Sequence, residues 1–114
     1  MPSKRNPLNL NPLQLKTLTL LQELARLPGH SRPAEEPGHT VVADLPHPHG
    51  DHFHLGEAVV ASRDATGLQN PAVWVALERK GLIRSLFPHS AVLTPLGAAY
   101  DTGLRDALLH RSGH

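Results

Sequence analysis

The run Thr66-Gly67-Leu68-Gln69-Asn70-Pro71-Ala72-Val73-Trp74-Val75-Ala76-Leu77-Glu78-Arg79-Lys80-Gly81-Leu82-Ile83-Arg84 decides how this chain folds. Asn70 is a good N-cap, and Pro71 suits a first helical position, where the missing N–H would have no intrahelical acceptor. Val73, Ala76, Leu77 and Lys80 then fall on one side of a helix that stops at Gly81, which predicts a helix over 71–80. Leu82 to Leu86 and Ala91 to Leu93 flank Phe87-Pro88-His89-Ser90, the pattern of a two-stranded hairpin with a loose tip. Upstream, Asp64-Ala65-Thr66-Gly67 is turn chemistry, and Glu57 to Arg63 reads as a short helix with an acid in its first turn. The predicted order is helix, tight turn, helix, hairpin.

The same cap-then-proline pair recurs on both sides of this unit. Asn11-Pro12 opens a helix expected over 12–27, with Leu13, Leu20, Leu24 and Leu27 as its core stripe. Thr94-Pro95 opens a last helix in which Leu96, Tyr100, Leu104, Ala107 and Leu108 share a face, although Gly97 and Gly103 each weaken it by about 1 kcal/mol relative to alanine. Residues 1–10 carry too little apolar surface to offset the entropy of ordering and are expected to be a disordered arm. Residues 28–52 hold five prolines, three glycines and five histidines and read as an irregular His/Pro-rich insertion. Its β-branched run Thr40-Val41-Val42-Ala43 is expected to pair with Phe53-His54-Leu55 as a small hairpin.

Composition narrows the chemistry. The 114 residues suit one domain, 11–111. Eleven lysines and arginines oppose ten acids, so the net charge of +1 creates no global field, and any basic patch must be local. The absence of cysteine excludes disulfides and thiolate sites and suits a cytoplasmic location. No apolar run approaches membrane-spanning length, and the start lacks a secretory signal. No nucleophile triad, phosphate-cradling glycine loop or paired helical carboxylates occur in a motif context, so the chain is not expected to be an enzyme.

The segments Thr66 to Val73, Leu77 to Arg84 and Leu93-Thr94-Pro95-Leu96-Gly97 together resemble winged helix-turn-helix bacterial transcriptional regulators of the MarR type, over about residues 55–110. The resemblance implies a mainly α fold with a small β-sheet: a three-helix core, a two-stranded wing and a C-terminal helix. It implies double-stranded DNA as the partner, with Gln69, Asn70, Arg79 and Lys80 at the recognition helix, Arg84, Ser85 and His89 in the wing, and Arg63 near the turn. Two departures stand out. The helix is about one turn short, and Trp74 and Val75 cannot make bidentate bonds to a base; Trp74 is better placed closing the core beside Leu77 or forming a contact surface with another protein. A winged-helix module used for protein contact is the alternative. A homodimer through Leu104, Leu108 and the outer face of the first helix would double a weak electrostatic footprint.

His47-Pro48-His49-Gly50-Asp51-His52-Phe53-His54 is the most unusual local feature. Neutral imidazoles and a carboxylate suit zinc or another divalent metal, which makes His47, His49, Asp51, His52 and His54 candidate ligands. The competing expectation is a solvent-exposed turn built on Pro48 and Gly50. The run also matches the HxHxDH pattern of metallo-β-lactamase-like hydrolases, but that fold needs further ligands downstream, where this chain has a helix and hairpin pattern.

Overall fold

The computed structural model describes residues 6–47 and 50–111, Arg111 by its backbone alone. Helix α1 spans Pro12–Leu24 and begins as the sequence predicts. The Asn11 side chain accepts the Gln14 N–H at 2.8 Å while Gln14 Oε1 accepts the Asn11 N–H at 3.0 Å, a reciprocal cap that satisfies two otherwise orphaned donors. Leu18, Leu20, Leu21 and Leu24 are buried. Leu13, in the first turn of the helix, and Leu27, beyond its end at Leu24, pack at the margin of the core. The buried Thr17 and Thr19 hydroxyls donate back to the carbonyls of Leu13 and Leu15, so neither polar group is left dry and unpaired.

The expectation of a mainly α winged helix-turn-helix is overturned. The chain is α+β, with two antiparallel sheets. Strands β1 (Ser31–Pro33), β2 (Thr40–Ala43), β5 (Ile83–Leu86) and β6 (Ser90–Leu93) form one sheet in the order β1-β2-β6-β5. Strands β3 (His52–Leu55), β4 (Ala58–Ala61) and β7 (His110–Arg111) form the second, in the order β3-β4-β7. The hairpin β5-β6 is present, but as half of a four-stranded sheet and not as a free-standing wing. The stretch 28–52 is therefore not an irregular insertion, since it supplies β1 and β2 to that sheet.

Three local expectations fall with it. Thr40–Ala43 does not pair with Phe53–Leu55; it pairs with β6 in the register Thr40↔Leu93, Val42↔Ala91. This sets Val42 against Ala91, both buried, and gives the two strands one apolar face. Glu57 to Arg63 is not a helix. Gly56 at φ 61 opens a two-residue turn that folds β4 back on β3, with Val60 opposite Phe53 in the core. The turn before the recognition segment is made of two 3-10 turns, 62–64 and 66–69, so no helix stands where a three-helix core needs its second one.

Helix α2 (Pro71–Arg79) forms as predicted, capped by Asn70 through Ala72 N–H at 3.0 Å. The expected last helix is split into α3 (Pro95–Ala99) and α4 (Arg105–Leu108). Gln22 Nε2 donates to the carbonyls of Gly97 and Tyr100, both at 2.8 Å, taking acceptors that a continuing helix would use, and Gly103 at φ 73 completes the break. Leu108 is buried and Leu104 packs on the core, so neither offers the self-association face expected of them.

The arm expected over residues 1–10 is docked over 6–10. Leu10 is buried, the Tyr100 hydroxyl donates to Asn6 Oδ1 at 2.8 Å and accepts the Leu8 N–H at 2.9 Å, and Lys80 Nζ donates to the Leu8 carbonyl at 2.8 Å. Residues 1–5 lie outside the described residues.

Candidate functional site

Helix α2 presents two faces of different chemistry. Val73, Trp74 and Leu77 point inward, and the Trp74 ring meets Phe87 of the hairpin turn edge-on at 5.1 Å between centroids. Trp74 is fully buried, as its placement beside Leu77 suggested. Pro71, Ala72, Val75, Glu78 and Arg79 are exposed. The outward face is thus a methyl-rich centre, Ala72 and Val75, with one acid and one base at its far end. Val75 retains 45% of its accessible surface, a large exposure for an aliphatic side chain in a helix.

The eight residues assigned to DNA contact separate into two groups. Arg63, Gln69, Arg79 and His89 are exposed, on the first 3-10 turn, the end of the second, the end of α2 and the hairpin turn. The other four are engaged within the fold, Arg84 while remaining on the surface. Asn70 caps α2, Lys80 holds the Leu8 carbonyl, Arg84 Nη2 pairs with Glu36 Oε1 at 2.8 Å, and the half-buried Ser85 hydroxyl accepts the Phe87 N–H. Sequence spacing could not separate the groups, because the partners of Lys80 and Arg84 lie far away along the chain.

Of the proposed metal ligands, His47 is exposed in the loop before β3, and His49 lies outside the described residues with Pro48. Asp51, His52 and His54 come together. The two imidazoles approach with Nε2 to Nε2 at 3.1 Å, and His52 Nδ1 lies 3.3 Å from Asp51 Oδ1. Among the described residues no group of three or more His, Asp or Glu side chains is arranged to hold a metal ion.

One site was not legible in advance. A cavity of about 550 Å³ opens between the end of α1, the β3-β4 turn and the α4-β7 segment. Leu27, Leu55 and Leu109 line it together with Glu57, Asp106 and the Glu23–Arg105 ion pair, whose Nε to Oε1 distance is 3.0 Å. Its walls come from three distant parts of the chain, and no local motif marks them. No helix among the described residues is long and apolar enough to cross a membrane.

No family model, no curated protein and no solved structure matches the chain.

Proposed function

We propose that the chain is a small non-enzymatic, cytoplasmic DNA-binding module that sets the outward face of α2 against the major groove, with the β5-β6 hairpin alongside. The observation that carries this reading is the open face of α2. Ala72, Val75 and Arg79 are exposed along it, while the bulky Trp74 is turned into the core and obstructs nothing. Nine residues give a rod of about 14 Å, enough to cross a groove roughly 12 Å wide. The methyl groups of Ala72 and Val75 suit thymine methyls, the Gln69 amide suits the N6/N7 edge of adenine, and Arg63 and Arg79 suit phosphates. The set favours A·T-rich duplexes, and with so few free cations the binding is weak and strongly salt-dependent.

The test is fluorescence anisotropy with labelled A·T-rich and G·C-rich duplexes at low and physiological salt. The reading predicts tighter binding to the A·T-rich duplex and a log K that falls linearly with log salt. Equal binding to both sequences defeats the base contacts, and no binding at low salt defeats the reading altogether. Val75 at 45% and Leu86 at 57% exposure favour a second reading, a protein-contact module, for which association is insensitive to salt.

A further inference from the structure

We infer that His52 and His54 form a two-imidazole chelate for a late first-row divalent cation, with zinc as the reference ion. The inference is independent of the DNA reading, since β3 belongs to the other sheet.

The pair follows from strand geometry. Side chains two apart on a strand share a face, and Phe53 and Leu55 fix which one, because both are buried. His52 and His54 are therefore carried together on the opposite face of β3. Across the ladder they stand beside Ala61 and Val59, side chains too short to reach over the rings. Strand β3 is also an edge of its sheet, so the pair is not hemmed in by a further strand.

The separation is that of ligands on one metal. Zinc sits roughly 2.0–2.1 Å from an imidazole nitrogen, so two Nε2 atoms 3.1 Å apart subtend roughly 100° at a common ion, near the tetrahedral value. Without metal the same distance is a hydrogen bond in which one Nε2–H donates to the other Nε2. Binding requires a lone pair on both, which a shift of that proton to the ring's own Nδ1 provides without a net change of charge. Asp51 assists at His52. Its carboxylate stands behind Nδ1, an arrangement that holds the N–H there and turns Nε2 toward the ion. Imidazole nitrogen selects zinc, copper and nickel over magnesium and calcium, which prefer oxygen. His110 shares the ladder row of His54 through Val59, two strand spacings away. Among the described residues these two imidazoles are the ligands that the strand brings together.

The experiment is calorimetric titration of the full chain with Zn²⁺ at pH 7.5, paired with imidazole ¹H–¹⁵N spectra. The expected result is saturable binding in which the Nε2 resonances of both His52 and His54 move, with affinity at least tenfold weaker in His52→Ala and in His54→Ala and unchanged in His89→Ala. Circular dichroism confirms that each variant is folded, and the spectra of the unaltered chain supply the assignment if one is not. Binding that survives in the His52→Ala/His54→Ala double variant, binding lost in His47→Ala while the Nε2 signals of His52 and His54 stay fixed, or no saturable binding each overturns the proposal.

Discussion

The indole N–H of Trp74 donates to the carbonyl of Gly67 at 3.1 Å, entirely out of water, and so ties α2 to the 3-10 turn that leads into it. The Gly67 carbonyl also accepts the Asn70 N–H at 3.1 Å, so losing the indole donor costs one hydrogen bond and leaves the acceptor paired. Trp74→Phe keeps most of the apolar volume, deletes the donor, and is expected to lower unfolding free energy by about 1 kcal/mol in urea denaturation followed by circular dichroism. A loss below about 0.5 kcal/mol means that the hydrogen bond does not hold this junction.

At Gly67 that turn lies against Thr17 and Leu13 of α1. A methyl group at the Gly67 Cα meets the Thr17 hydroxyl, which already donates to Leu13. Gly67→Ala is expected to destabilise by about 2 kcal/mol, as overpacking of a well-filled core does. Thr17→Ala removes the obstructing oxygen, so the double variant should be at least 0.5 kcal/mol more stable than the sum of the single losses. Strict additivity in a double-mutant cycle refutes the contact.

Lys80 and Arg79 are adjacent in sequence, and the fold gives them different tasks. Arg79 is exposed, whereas Lys80 is spent on the Leu8 carbonyl. Arg79→Ala is expected to reduce the slope of log K against log salt by about 0.9 for duplex DNA. Lys80→Ala should leave the slope unchanged while costing about 1 kcal/mol of stability. The reverse outcome would return Lys80 to the recognition surface.

Asn70 combines a structural duty with its expected place on DNA. Asn70→Ala removes the cap and should cost about 1 kcal/mol. Asn70→Asp preserves the cap and suits the helix dipole, so thermal stability is retained, but it places a negative charge where a phosphodiester must approach. Weaker DNA binding at unaltered stability is the expected pair of results. Unchanged affinity would move the α2 N-terminus away from the DNA.

Elements specified by neighbouring residues were readable before any coordinates. Asn11-Pro12, Asn70-Pro71 and Thr94-Pro95 each begin a helix, because a cap and a proline act within one turn. The hairpin over Leu82 to Leu93 was equally local. What failed was pairing at a distance and one choice of period. Val42 meets Ala91 across 48 intervening positions along the chain, and nothing near Val42 announces that partner. Glu57-Ala58-Val59-Val60-Ala61 was read at helical period, although Gly56 followed by a single residue between two apolar runs is itself a hairpin signal. The free and occupied cations of the candidate site were indistinguishable for the same reason: Glu36 and Leu8 reach Arg84 and Lys80 only in the folded molecule.

The β2-β6 ladder has a consequence for how the molecule is made. During synthesis β2 can pair with β1 at once, but its other edge must wait until the segment around Ala91 has left the ribosome. Pro33 lies in β1 and carries no N–H, so the outer edge of that early pair is a poorer template for a stray chain.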